Sequence, residues 1–128
     1  MTEKNIKPTD KELEILHVLW EKGAASVREV HEALGGEKTN GYTTILKLMQ
    51  IMHEKGIVTR QKRGKLHLYT AVHSEERTRS QILDKFIDKD FKGSAAQLVI
   101  SALGNQKSSR QELDAIRKYL EKLEGGDQ

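Results

Sequence analysis

The chain contains no cysteine, which removes disulfides, thiolate zinc sites and thiol redox sensing together. It also lacks any apolar run near the ~18 residues a membrane span needs, and its opening stretch, Met1 to Thr9, is polar and charged. Neither a signal peptide nor membrane insertion is expected, and a soluble cytoplasmic protein fits both absences. No nucleophile motif, P-loop or glycine-rich dinucleotide fingerprint occurs, and the carboxylates are scattered over helix surfaces as solubilising charge. An enzyme is not expected, and no cofactor is called for. Five histidines, His17, His31, His53, His67 and His73, suggest a metal site. No two stand at i, i+4 on one helix and none has a carboxylate at a recognisable ligand spacing, so no metal is expected.

One segment is short of acid. The whole chain carries a net charge of only +3 over 128 residues. Residues 1–73 hold 12 lysines and arginines against 9 acids, whereas residues 74–128 hold 10 of each, so the excess lies in the first part. From Lys38 to Lys65, Glu54 is the single acid among seven bases: Lys38, Lys47, Lys55, Arg60, Lys62, Arg63 and Lys65. A local +6 of this kind is a polyanion footprint rather than a uniformly sticky surface.

What is present begins with three helix starts of one type. In Thr9 to Glu12, Ser26 to Glu29 and Ser109 to Glu112, a hydroxyl can cap an N-terminal amide while a carboxylate three residues on reaches back to the cap's own N–H. The first opens a helix to about Lys22, apolar over a wide arc (Leu13, Ile15, Leu16, Val18, Leu19, Trp20) and stopped by Gly23, with Trp20 expected in the core. The second opens a short helix with Val27, Val30 and Leu34 on one face, ending at Gly35-Gly36, with His31 at the edge of the core. A third helix starts near Gly41, with Thr39 or Asn40 as cap, and carries Ile45, Leu48, Met49 and Met52 at i, i+3, i+4, i+7. Tyr42, Thr43 and Lys47 lie away from that stripe. Gly56 ends the helix, and Ile57 to Gln61 and Leu66 to Ala71 read as two strands joined by a tight turn at Arg63-Gly64. The second strand alternates Leu66, Leu68 and Thr70 against Lys65, His67 and Tyr69.

After His73 the pattern is helical only. Ser74 to about Phe91 carries Ile82, Leu83, Phe86 and Ile87, and Ser94 to Leu103 carries Leu98, Val99, Ala102 and Leu103 before a break at Gly104-Asn105. The last helix, Arg110 to about Glu124, sets Leu113, Ile116, Leu120 and Leu123 on a heptad-like seam. About fifty residues in three helices sit near the lower limit for an independent core, and oligomerisation is a common remedy. The fold class is therefore mainly α with a small antiparallel β-hairpin. It comprises an N-terminal winged helix-turn-helix domain over residues 1–73 and a C-terminal three-helix dimerisation domain over residues 74–128. Ile82, Phe86, Leu98, Leu113, Ile116, Leu120 and Leu123 would form the dimer contact.

The start of the third helix offers hydroxyls, helix-terminal amides and Lys47 one turn along, the groups that meet phosphates and base edges. Tyr42, Thr43, Thr44 and Lys47 are the candidate DNA-reading residues, against the plainer reading of a solvated helix face. Arg60, Lys62, Arg63 and Lys65 would contact phosphates, although a charge run on a hairpin is ordinarily a solubilising face. Seven bases against one acid in a single helix and hairpin favour phosphate. Tyr69, opposite the third helix, reads as core rather than as a base-stacking residue.

These residues resemble the penicillinase-repressor family of winged-helix regulators, which includes repressors of beta-lactamase and methicillin-resistance genes. The matching stretches are Thr9 to Leu16 leading to Val18-Leu19-Trp20, Val27 to Val30, Tyr42 to Leu46, and Glu54 to Val58 running into Gly64 and Leu68-Tyr69. The resemblance spans about Pro8 to Leu123. It implies a homodimeric repressor on a dyad-symmetric double-stranded DNA operator, one recognition helix per half-site, with dimer contacts from the C-terminal helices. In the beta-lactam-responsive members a membrane-bound sensor protease signal ends in cleavage of an Asn-Phe bond. The corresponding stretch here is Leu98 to Leu103 and the bond Ser101-Ala102, with neither the amide side chain nor the aromatic. Copper sensing through C-terminal cysteine pairs is excluded, and a tryptophan that members often carry before the recognition helix is Asn40 here. Two other functions are carried alongside: an interaction module docking its basic wing on an acidic partner, and a metal- or ligand-sensing regulator using the histidines.

Overall fold

A computed structural model describes residues 7–105 and 108–125. The polar opening stretch thus lies mostly outside the described residues. The element order is α1 (Asp10–Lys22), α2 (Val27–Ala33), a single 3-10 turn (Gly36–Lys38), α3 (Tyr42–Lys55), β1 (Val58–Arg63), β2 (Leu66–Ala71), α4 (Glu75–Asp90), α5 (Ala95–Asn105) and α6 (Arg110–Gly125).

All three capping boxes form. The Glu12 amide donates to Thr9 Oγ1 at 3.1 Å and the Thr9 amide to Glu12 Oε1 at 3.0 Å. The Ser26/Glu29 pair does the same at 3.2 and 2.9 Å, and Ser109/Glu112 at 3.0 and 3.2 Å. The start of α3 differs from the expectation. Its cap is Gly41, with no side-chain hydrogen bond, because Thr39 turns back and donates to Leu34 O at 2.6 Å.

The chain divides into two compact units, 1–84 and 85–128. The core of the first joins Ile15, Leu16, Val18 and Leu19 of α1, Val27 and Val30 of α2, Ile45, Met49 and Met52 of α3, and Val58 and Tyr69 of the hairpin. Side chains such as these bury roughly 1.5–3 kcal/mol each of transfer free energy. Trp20 is half-buried at the rim of this core, not inside it, and its Nε1 donates to His73 O at 2.9 Å. Together with buried Thr78 and a small crevice of about 120 Å³ between Leu13, Trp20 and Ile82, this anchors the first turns of α4 on α1. The boundary between the two compact units falls inside α4, and Ile82 lies in the first of them.

The hairpin is a two-stranded antiparallel ribbon paired from Val58↔Ala71 to Arg63↔Leu66. Because Arg63 is paired, the two-residue turn is Gly64-Lys65, one position beyond the expected Arg63-Gly64. Gly64 has φ 62 at the first central position, where a II′-type turn needs glycine. Ala25 extends the ribbon by exchanging backbone hydrogen bonds with Tyr69. The face carrying Tyr69 and Ala71 turns inward, and that carrying Leu66, Leu68 and Thr70 is the outer one. A ribbon held on the core at its base buries only the residues there, and Leu66 at the tip stays exposed.

In the second unit, α5 continues through Gly104 and Asn105 instead of breaking there, since Asn105 Nδ2 donates to Ser101 O at 2.9 Å within the helix. Neither α5 nor α6 contains a buried residue. Val99, Ile100, Leu120 and Leu123 are all exposed, while Leu98, Leu113 and Ile116 are half-buried.

Candidate nucleic-acid interface

Helix α3 directs Ile45, Met49 and Met52 into the core, each fully buried. At 100° per residue this leaves Thr43, Lys47 and Gln50 on the outward face, with Tyr42 and Leu46 on the flank toward the hairpin. All of these except half-buried Leu46 are exposed. Glu54 lies on the same outward face ~10 Å beyond Lys47, at 1.5 Å per residue. Its charge marks the C-terminal limit of any polyanion contact along the helix.

The ribbon divides the basic wing between two faces. Residues opposite one another in an antiparallel pair share a face and successive residues alternate. Val58, Arg60 and Lys62 therefore lie with Ala71, Tyr69 and His67, whereas Thr59, Gln61 and Arg63 lie with Thr70, Leu68 and Leu66. The first face looks toward α3. Between the two runs an open groove of about 380 Å³, whose lining includes Arg28, Tyr42, Gln50, Arg60, Lys65 and Tyr69 and no carboxylate. Arg60 Nη1 donates to Tyr69 Oη at 3.4 Å, which directs the guanidinium along the groove wall. Tyr69 is otherwise buried, as a core residue should be.

Of the seven bases counted in the sequence, Lys55 is not part of this surface. Its Nζ donates to both carboxylate oxygens of Glu12, at 3.0 and 2.9 Å, and Glu12 is 2 % exposed. Lys55 is a structural tie between the start of α1 and the end of α3. Lys38, Lys47, Lys62, Arg63 and Lys65 are exposed. Gln50 and Arg28 are among the groove residues that the sequence did not single out. Gln50 was legible in principle, since it follows Lys47 by three on the same face. Arg28 carried no local signal, because the approach of α2 to the wing is a tertiary matter. Among the described residues no three histidines or carboxylates gather as a metal site, and no helix is long and apolar enough to cross a membrane.

Three helices with a helix-turn-helix pair, followed directly by a basic two-stranded wing, define a winged-helix protein. The chain belongs to the penicillinase repressor family, which its residues 8–122 match. It is 26% identical over 122 residues to the methicillin resistance regulatory protein MecI of Staphylococcus aureus (strain N315), covering 95% of this chain and 99% of that protein. To the transcriptional regulator BlaI of Mycobacterium tuberculosis (strain ATCC 25618 / H37Rv) it is 28% identical over 119 residues, 91% of this chain and 85% of that one. Among solved structures it is similar to the DNA-binding domain of the repressor BlaI, with a TM-score of 0.51 and 27% identity over 58% of this chain and 90% of that domain.

Proposed function

We propose that the protein is a DNA-binding transcriptional repressor acting in the cytoplasm as a homodimer on a dyad-symmetric operator. Tyr42, Thr43, Thr44 and Lys47 enter the major groove, and Arg60, Lys62, Arg63 and Lys65 hold flanking phosphates. The observation that carries this reading is the acid-free groove between α3 and the wing, lined by Arg28 of α2, Arg60 of β1 and Lys65 of the hairpin turn. The membership of a repressor family supports the same assignment.

The second copy is supported by the 85–128 unit, whose α5 and α6 hold no fully buried residue in a single chain. Packing Phe86, Leu98, Leu113, Ile116, Leu120 and Leu123 against a partner copy would supply the missing core. Two-fold symmetry then sets the half-sites about one helical turn, or a multiple of it, apart. An upstream membrane sensor protease acting at Ser101-Ala102 would find both residues exposed but inside α5, so the helix must open before the bond is cut.

The test is binding to the protein's own upstream intergenic DNA and to a scrambled duplex of equal length at ~50 and ~200 mM salt. A strong, salt-sensitive preference for the native sequence is the expected result. Equal weak binding to both duplexes would refute site-specific repression and favour docking of the wing on an acidic partner.

A further inference from the structure

The recognition helix is the one helix of the first unit before the wing that starts without a side-chain cap. Helices α1 and α2 begin with capping boxes, whereas α3 begins at Gly41 with no side chain on its amides. Its start is held from outside, and the residue that reaches it is His31 of α2. His31 is 7 % exposed, and its Nε2 stands 2.8 Å from the carbonyl oxygen of Asn40, the residue just before the Gly41 cap. A carbonyl only accepts, so Nε2 carries the proton and donates. The exposed Glu37 carboxylate lies 3.5 Å from the same nitrogen.

The other side of the imidazole's surroundings is the Tyr42 ring, edge-on at 5.7 Å between centroids and 85° between planes. Tyr42 is the first residue of α3 and lines the groove. One buried side chain thus touches the backbone before the helix and the first side chain of the helix. The connection between α2 and α3 is tight at its other end as well. Gly35 has φ 106, and a Cβ there would stand 2.8 Å from Thr39 Oγ1. The Asn40 amide donates to Gly36 O at 3.3 Å, so the entry to α3 is held by this backbone bond on one side and by the His31 contacts to Asn40 O and the Tyr42 ring on the other.

We infer that His31 is a positioning residue for sequence readout, holding the Asn40 carbonyl and the Tyr42 ring so that the first turn of α3 meets base edges in one register. It touches no DNA itself. The inference rests on the DNA-reading role proposed for α3.

The test uses full-length wild type, H31L, H31Q and H31F. Wild type first selects a preferred duplex from a random library, and affinities for that duplex and a scrambled one are then measured from ~50 to ~200 mM salt. In H31L the ratio of selected to scrambled affinity falls about tenfold, the scale of one lost base contact, while scrambled affinity and salt slope stay unchanged. H31F, which keeps a ring beside Tyr42, loses less of that ratio than H31L, and in a Y42A background the difference between the two vanishes. In the DNA-free protein, amide exchange at Tyr42, Thr43 and Thr44 quickens in H31L and that at Met49 and Met52 does not, which separates local release from unfolding. If H31L does not fold, the other two variants decide: H31Q keeps the donor and protects those amides, and H31F does not. A folded H31L that retains the wild-type ratio, or loses both affinities equally, overturns the inference. A wild type that enriches no duplex overturns the DNA-reading role and this inference with it.

Discussion

Removing Lys55 should unfold the protein more readily than removing its buried partner. The Glu12 carboxylate accepts from Lys55 Nζ on both oxygens and from the Thr9 amide on one. Lys55→Met keeps the aliphatic stem but leaves an almost fully buried anion with the Thr9 amide as its donor. Breaking a buried pair in this way costs ~3–5 kcal/mol. Lys55 itself is 32 % exposed, so water reaches the vacated position and the low end, about 3 kcal/mol, applies. Glu12→Gln retains the acceptor that the capping box needs, and the lysine ammonium can turn to solvent, so its cost is ~1 kcal/mol. The double variant strands no charge and should cost less than Lys55→Met alone, a coupling of ~2 kcal/mol. Urea unfolding followed by Trp20 fluorescence reports on this unit, because Trp20 is the single tryptophan and packs against its core. With m near ~1.5 kcal/mol/M, Lys55→Met lowers the midpoint by ~2 M and Glu12→Gln by less than ~1 M. Costs that simply add, or a Glu12→Gln worse than Lys55→Met, would refute the claim that a stranded carboxylate dominates.

Three further outcomes follow from the proposed interface. Lys47→Ala should weaken operator binding by ~1–3 kcal/mol and relax specificity, measured by gel shift on matched and mismatched duplexes. Lys65→Ala should weaken all DNA about equally and lower the salt slope by about one, read from titrations on operator and scrambled DNA. Equal effects of the two on every sequence would remove the assigned division between reading and phosphate contact. Leu120→Asp should give monomers by sedimentation and reduce operator affinity on the order of 10²-fold, since each half-site alone binds weakly. A dimer that survives this change would place the contact elsewhere.

Much of the architecture was legible because it rests on local signals. A hydroxyl with a carboxylate three residues on is a complete capping instruction, and all three instances form. The stripe of α3 and the sequence of helix, glycine and two short strands depend on spacing within about fifteen residues, and both appear close to their expected bounds. The cap of α3 differs from the expectation because Thr39 has two uses, and bonding to Leu34 O prevails. Helix α5 runs two residues past the expected Leu103 because Gly104 is unfavourable in a helix by only about 1 kcal/mol.

The three capping boxes, the core stripe of α3, the winged arrangement and the concentration of positive charge after Gly36 are set by neighbours along the chain and are legible in it. Only the tertiary structure decided which charges remain for a partner. Lys55 is taken by Glu12, a residue 43 positions away, and Arg28 reaches the groove only because α2 packs beside the wing. The isolated pairing of Ala25 with Tyr69, 44 positions away, was likewise settled by how the ribbon seats on the core. Pairing across long separations depends on how whole elements dock, and no local periodicity encodes it.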